Sequence, residues 1–182
     1  MLVHMCCGPC SIYPLTKILD GRYEVYGLFY NPNIHPRNEY KKRLESVKRL
    51  AGLMGVNILY YEDYNPGPYF SGLPADIKSV PKDKRCEYCY LFRLEKTAEF
   101  AKKNGFAAFS SSLLYSRYQK HELIIALGLA MEKKHGVPFY HEDFRKGWRE
   151  GIEASKGMGL YRQKYCGCIF SMMERGSPPG KG

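Results

Sequence analysis

The chain has 182 residues, a length typical of one domain with a substantial buried core. Its 28 lysines and arginines exceed its 18 acidic residues, and the net charge of +10 favours a polyanionic partner such as a nucleic acid. No apolar run reaches the roughly eighteen residues of a membrane span, and the N-terminus lacks a signal-peptide pattern. We therefore expect neither a membrane protein nor a secreted one, and a cytoplasmic location.

In the first part of the chain, short apolar runs alternate with segments of helical periodicity. The predicted strands span 2–5, 24–30 and 57–60, and the predicted helices span 10–19 and 40–54. Pro9 suits the first turn of the first helix. Several prolines and glycines predict a long loop over 61–85.

The second part continues the alternation. We predict a helix that begins around Cys89 and ends before Gly105, and a largely apolar, buried helix at 120–135. Strands are predicted at 106–110 and, as a fifth strand, at 137–140. The pattern predicts an α/β fold, a Rossmann-like parallel sheet with flanking helices. We expect one domain at 1–176 and a disordered tail at 177–182.

All seven cysteines fall into three short groups. They are Cys6-Cys7-Gly8-Pro9-Cys10, Cys86-Glu87-Tyr88-Cys89 and Cys166-Gly167-Cys168. An odd count rules out a monomer in which every cysteine forms a disulfide, and clustered cysteines in a reducing compartment are typical of metal binding or catalysis. We interpret the cysteines as metal ligands.

Thiolates suit several cofactors. A structural zinc ion needs four ligands, and a 4Fe–4S cluster takes three or four, so seven cysteines leave a surplus for a second metal or a redox pair. Iron–sulfur is the favoured interpretation, with zinc and thiol–disulfide chemistry left open. No phosphate-binding loop motif or dinucleotide fingerprint is present, and cysteines occupy the first loop, where a nucleotide-binding relative would hold phosphate.

The position of the cysteines supports a shared site. Cys6 and Cys7 follow the first strand, at the carboxyl edge where parallel sheets bind ligands. Cys10 and Cys89 are predicted near helix N-termini, which favour thiolates. Gly8 and Gly167 are expected to let the backbone approach a cofactor closely.

Basic and aromatic residues alternate in several segments, a pattern that suits RNA binding. The run Tyr40-Lys41-Lys42-Arg43 is interpreted as a solvated helix face. The candidate RNA-binding residues lie instead near the cysteines or beside tyrosines, and they are Arg85, Arg117, Arg162 and Lys164.

Five motifs together resemble the cobalamin-independent epoxyqueuosine reductase family. They are CCGPCS at 6–11, RCEYCY at 85–90, SSSLLYSRYQ at 110–119, DFRKG at 143–147 and YRQKYCGCIFS at 161–171. The resemblance implies a fold of the adenine-nucleotide alpha hydrolase type, which is HUP-like. It also implies two-electron reduction of epoxyqueuosine to queuosine at the wobble position of tRNA, with a 4Fe–4S cluster, an adjacent mononuclear iron and a separate electron donor.

The cysteines are then divided between the two metals. Because adjacent residues of an extended strand point to opposite sides, Cys6 and Cys7 are expected to point apart, which would let them serve different metals. The cluster ligands are predicted to be Cys10, Cys86, Cys89 and Cys166, and the second metal is assigned Cys6, Cys7 and Cys168. Two alternatives use the same thiols, a non-catalytic zinc-binding RNA module and a metal-free thiol oxidoreductase acting through Cys7 and Cys10.

Overall fold

The computed structural model describes residues 1–60, 63–77 and 79–176, and of residues 175 and 176 it describes the backbone alone. The described strands are β1 (Leu2–His4), β2 (Tyr26–Phe29), β3 (Asn57–Tyr60) and β4 (Phe109–Ser111). The described α-helices are α1 (Gly8–Asp20), α2 (Arg37–Met54), α3 (Gly67–Ser71), α4 (Lys82–Lys103), α5 (His121–His135), α6 (Trp148–Gly157) and α7 (Ile169–Gly176). Short 3-10 helices span Ser112–Tyr115 and Phe144–Gly147.

The four strands form a parallel sheet in the order β3-β2-β1-β4, and helices flank it. The α/β, Rossmann-like prediction is therefore confirmed. From β1 the chain runs outward to β2 and β3, then crosses back to pair β4 with the other side of β1. Crossover connections are right-handed. The helices that link β1 to β2 and β2 to β3 therefore cover one face of the sheet, and the crossover from β3 to β4 covers the other face. The direction reverses at the carboxyl ends of β1 and β4, which is the place where open parallel sheets bind ligands.

The core lies on both faces of the short central strand β1, whose residues are fully buried. One group of packed helices is α1, α2 and α6, and another is α4 with α5. Helix α5 buries only one stripe, and Leu129 on that helix is 43% exposed, so the expectation of a largely buried helix was wrong.

Several predicted bounds need correction. The segment predicted as a loop over 61–85 contains α3 and the first turn of α4, and residues 61, 62 and 78 lie outside the described part. The predicted fifth strand at 137–140 is only a single bridge, from Phe139 to Phe109. Helices α6 and α7 were not predicted. The predicted tail at 177–182 also lies outside the described residues. Among the described residues, no helix has both the length and the apolar character of a membrane span.

Two helix glycines provide a test of this packing. A Cβ atom on Gly128 of α5 would lie 2.1 Å from the buried ring of Phe139, whereas one on Gly52 of α2 would have no neighbour within 4 Å. We expect Gly128→Ala to lower the free energy of unfolding by about 1–3 kcal/mol through overpacking. Gly52→Ala should raise it by about 0.5–1 kcal/mol, because alanine costs less backbone entropy in a helix.

Urea unfolding of both variants beside the wild type measures these changes, with each substitution serving as the control for the other. An equal effect of the two substitutions would contradict the close packing of α5 on Phe139.

Candidate metal centre

The first cysteine group lies at the reversal point of the sheet. Cys6 and Cys7 follow β1, and Cys7 is the N-cap of α1, whose first turn holds Cys10. The prediction that Cys10 lies near a helix N-terminus is confirmed. Ser112 directly follows β4, the strand that pairs with β1. The topology thus brings these side chains to the edge where parallel sheets bind ligands.

The three sulfur atoms of this group lie within 4.8 Å of one another, and all three residues are buried. Cys6 Sγ and Cys7 Sγ are 3.8 Å apart. The expectation that they point to opposite sides was wrong, because β1 ends at His4 and the two cysteines belong to the turn into α1. The arrangement is compact enough for three thiolates to bind one metal ion.

Polar side chains from distant parts of the chain hold these sulfurs. The Ser112 hydroxyl donates to Cys6 Sγ at 3.3 Å and accepts from the Cys6 backbone N–H at 2.9 Å. The Gln163 amide donates to Cys10 Sγ at 3.2 Å. These bonds fix the orientation of the thiols, as outer hydrogen bonds do at metal sites.

The second group lies inside a helix. Helix α4 begins at Lys82, so Cys86 and Cys89 are in its second and third turns, and the expectation that Cys89 begins a helix was wrong. Because residues three apart share a helix face, both thiols point the same way. Arg93, one turn further on, donates from Nη2 to Cys89 Sγ at 3.2 Å and from Nε to the Cys89 carbonyl at 3.0 Å.

The third group is anchored by a buried ion pair on α2. Arg43, 1% exposed, donates from Nε to Glu39 at 2.7 Å. Its two other nitrogens donate to the carbonyls of Cys166, at 3.0 Å, and Tyr165, at 2.8 Å. Glu39 accepts the Tyr161 hydroxyl at 2.6 Å. The Glu39 carboxylate and the Arg43 guanidinium together hold residues 161–166 against α2, and we call these two residues the α2 clamp.

Backbone contacts complete the attachment of the third group. The His35 N–H donates to the Gly167 carbonyl at 2.8 Å, and the Tyr165 hydroxyl donates to the His35 carbonyl. Ile34 forms an isolated antiparallel bridge with Cys168. The segment that carries Cys166 and Cys168 is therefore fixed against the loop that follows β2.

The two glycines of the motifs accommodate protein atoms. A Cβ on Gly8 would lie 2.4 Å from Ser46 Oγ, so Gly8 lets α1 approach α2. Gly167 has a positive φ of 103°, and a Cβ there would lie 2.9 Å from both Arg43 and Ile34. The space that these glycines leave is taken by the α2 clamp and its neighbours.

Burial and crowding control the thiol pKa values. Hydrogen bonds from Cys10 and Cys7 lower the pKa of Cys6, whereas hydrogen bonding to Cys6 raises that of Cys10 and burial raises that of Cys7. A hydrogen bond from Cys168 lowers the pKa of Cys166 to about 5. In the first and third groups one thiolate forms readily and its neighbours keep their protons, because like charges in a buried site repel.

The second and third groups also interact with each other. Burial raises the pKa of Cys86 and of Cys89, and the charges of neighbouring thiolates, Cys166 among them, raise both further. Deprotonating all of these thiols together requires a positive charge, which a bound metal supplies. The seven free cysteines form a soft, thiolate-rich donor set that fits iron or zinc.

The candidate RNA-binding residues differ in their surroundings. Arg85 is paired with Glu174 at 3.0 Å and lies over the Phe170 ring, so it joins α4 to α7. Arg117 is exposed and lies over the Trp148 ring. Over 161–165, exposure alternates: Arg162 and Lys164 are exposed, whereas Tyr161, Gln163 and Tyr165 are directed inward to Glu39, Cys10 and His35.

Sequence reasoning missed several residues of this site. The run at 40–43 was interpreted as a solvated face, but Tyr40 and Arg43 are buried and only Lys41 and Lys42 are exposed. The signal was available, since Glu39 and Arg43 have the spacing of a helical ion pair. Ser112, Gln163 and Arg93 were also not identified as neighbours of the sulfurs.

A family model described as epoxyqueuosine reductase QueH matches residues 1–174. An epoxyqueuosine reductase QueH of Thermotoga maritima is 39% identical over 180 residues, which cover 96% of this chain and 91% of that protein. One of Dehalococcoides mccartyi is 36% identical over 179 residues, 98% of this chain and 96% of that protein. One of Haemophilus influenzae is 37% identical over 177 residues, which cover 96% of this chain and 72% of that protein.

The α2 clamp gives a prediction for Arg43→Met. The substitution leaves Glu39 buried without its cation, so we expect the free energy of unfolding to fall by about 3–5 kcal/mol. In metal-free, reduced protein the thiols of Cys166 and Cys168 should also react faster with a thiol reagent, because their segment loses two hydrogen bonds. Urea unfolding and mass-resolved labelling measure the two effects.

Lys41→Met is the control, because it removes an exposed cation from the same helix. Unchanged labelling of the third group in Arg43→Met would show that the clamp does not hold this segment.

Proposed function

The chain belongs to the epoxyqueuosine reductase QueH family, and on that premise we propose that it reduces epoxyqueuosine to queuosine at the wobble position of tRNA. The observation that carries this proposal is the family match over residues 1–174, which includes all seven cysteines. The enzyme is accordingly an oxidoreductase of tRNA processing. The free thiols suit a cytoplasmic enzyme, since reducing compartments preserve them.

The reaction needs two electrons and two protons. Both C–O bonds of the epoxide break, a cyclopentene double bond forms, and the oxygen leaves as water. An external donor supplies the electrons, because any thiol pair or metal centre of the protein that gives up two electrons must be reduced again before the next turnover. The function of this chain is therefore to bind the tRNA, position the epoxide and hold redox-active metal.

The thiol arrangement supports a 4Fe–4S cluster beside a mononuclear iron. Such a centre, when bound, transfers electrons singly and offers an open iron position that polarises an oxygen ligand. The sulfurs available are those of Cys6, Cys7, Cys10, Cys86, Cys89, Cys166 and Cys168. One cluster uses at most four thiolates, so three remain for the second iron.

We retain the predicted partition of ligands, with Cys10, Cys86, Cys89 and Cys166 on the cluster and Cys6, Cys7 and Cys168 on the iron. The 4.8 Å proximity of the sulfurs of Cys10, Cys6 and Cys7 favours another arrangement, in which all three serve one metal. The partition is therefore the part of the proposal that most needs an experiment.

The surface around the third cysteine group suits tRNA. Arg162 and Lys164 are exposed and adjoin Cys166, which is itself exposed. Lysine and arginine bind backbone phosphates, and the single-stranded anticodon loop can release a base from its stack. Arg117 and the 85% exposed Tyr118 lie beside Trp148 and offer a stacking surface. We propose that these groups bind the loop that carries epoxyqueuosine.

The first test is anaerobic purification with counts of iron and acid-labile sulfide. We expect about four sulfides per chain, iron in excess of sulfide, and a broad absorption near roughly 400 nm that dithionite bleaches. The reduced protein should then convert epoxyqueuosine in tRNA to queuosine, measured by mass spectrometry of the nucleosides. Protein stripped of metal and tRNA that lacks epoxyqueuosine are the controls.

A colourless protein with one zinc and no sulfide would overturn the cluster and support a zinc-binding RNA module instead. A loaded cluster with no conversion of the modified tRNA would overturn the substrate assignment alone.

The ligand partition is tested with single Cys→Ala variants. Cys86→Ala and Cys89→Ala should lose most of the sulfide, because each substitution removes one of the thiolates proposed to hold the cluster. Cys6→Ala and Cys7→Ala should keep the sulfide and lose about one iron, as expected for a mononuclear site that loses one ligand. Ser71→Ala on α3 is the control for a small truncation outside the cysteine groups.

Cys10→Ala decides between the two arrangements. Loss of sulfide places Cys10 on the cluster, whereas retained sulfide with less iron places it with Cys6 and Cys7. Full retention of iron and sulfide in both Cys86→Ala and Cys89→Ala would refute the proposed cluster ligands.

A further inference from the structure

Two arginines are almost completely buried, and their partners differ. Arg43 has a carboxylate partner, Glu39, at 2.7 Å. Arg93 is 4% exposed, and within the described parts of the chain no Asp or Glu carboxylate lies within the 4.0 Å of an ion pair. A buried guanidinium without an anion is costly, so proteins rarely retain one without a role for its charge.

The groups that face Arg93 are cysteines. Its Nη2 donates to Cys89 Sγ at 3.2 Å. Cys6 of the first group and Cys166 of the third group also lie close enough for the guanidinium charge to attract a thiolate there. One cation therefore interacts with a member of each of the three cysteine groups.

Two tyrosines also interact with the Arg93 guanidinium, and neither competes as an anion. The Tyr90 ring lies 5.9 Å from the guanidinium carbon, and Tyr69 lies close enough to interact with it. Burial raises the pKa of both tyrosines, so both hydroxyls are neutral near pH 7. Among the described residues, the anion that would balance Arg93 therefore comes from the cysteine sulfurs or from what they bind.

We propose that Arg93 is the built-in counter-cation of an anionic thiolate-ligated metal centre, and that its hydrogen bond to Cys89 Sγ positions that ligand. The inference rests on the metal-binding part of the proposed function and not on epoxyqueuosine as substrate. Arg93 is a positioning residue, since it acts on the centre through the sulfur of Cys89.

This role predicts effects of opposite sign with and without metal. In metal-free, reduced protein, Arg93 is a buried cation that has no carboxylate partner among the described residues, so Arg93→Met should raise the stability toward urea. In metal-loaded protein the same change removes a charge that balances the thiolates, so it should weaken metal binding. Lost outer hydrogen bonds at metal sites typically cost about 10–100-fold in affinity, and we expect a loss in that range.

The experiment uses wild type, Arg93→Met and Arg93→Lys, each purified anaerobically and reconstituted with iron and sulfide. Three quantities are measured: urea unfolding of the metal-free protein, retention of iron during titration with a chelator, and the midpoint potential. Removal of a nearby positive charge disfavours the reduced, more negative centre, so Arg93→Met should have a lower potential than wild type. Arg93→Lys retains the charge and should lie close to wild type in potential.

Two controls separate charge balance from packing. Arg149→Met removes an exposed cation on α6 and should change none of the three quantities. Arg43→Met removes the other buried guanidinium and should destabilise the metal-free protein, because Glu39 loses its partner. The two buried arginines thus differ in the sign of their effect on the metal-free chain.

Two outcomes for Arg93→Met would overturn the role of Arg93 and leave the proposed function intact. One is equal destabilisation with and without metal. The other is metal retention and a midpoint potential that both equal those of the wild type. A wild type that binds no metal after reconstitution would overturn both proposals. A wild type that binds the cluster but does not convert tRNA would overturn the substrate assignment and leave the test of Arg93 valid.

Discussion

Mutual repulsion of buried thiolates is the constraint on which this structure depends. Cys6, Cys7 and Cys10 place three sulfur atoms within 4.8 Å at the end of the central strand, where water is largely excluded. Such a group cannot carry three negative charges unless a cation joins it. Ser112 and Gln163 donate hydrogen bonds to two of these sulfurs, and a metal ion, which the three cysteines could hold, would supply the remaining positive charge.

The sheet topology explains why distant cysteines can share that site. The sheet reverses direction between β1 and β4, beside the first group, and α4 packs against both strands with Cys86 and Cys89 on one face. The third group has no strand or long helix of its own. Its position depends on the ion pair of Glu39 and Arg43, because Arg43 donates hydrogen bonds to the carbonyls of Tyr165 and Cys166 and so fixes this irregular segment.

The local patterns of the sequence predicted the sheet and the cysteine groups, because strand alternation and cysteine spacing are short-range signals. They did not predict the contacts made across the fold. Arg43 appeared to belong to a solvated face because its carbonyl partners are more than a hundred residues away. Cys6 and Cys7 were assigned opposite directions because the end of β1, two residues earlier, depends on pairing with β2 and β4. The HUP-like subtype of the fold stays a prediction.

The segment 161–165 shows how one stretch can serve both the metal centre and RNA. Its inward side chains, Tyr161, Gln163 and Tyr165, are anchored to the protein, whereas Arg162 and Lys164 face solvent. Phosphates bound by those two cations would lie along a segment whose inner face contacts Cys10 and whose end is Cys166. Under the proposed function, a tRNA loop bound there would extrude the modified base toward the cysteines, so RNA binding and the geometry of the sulfurs would depend on the same backbone.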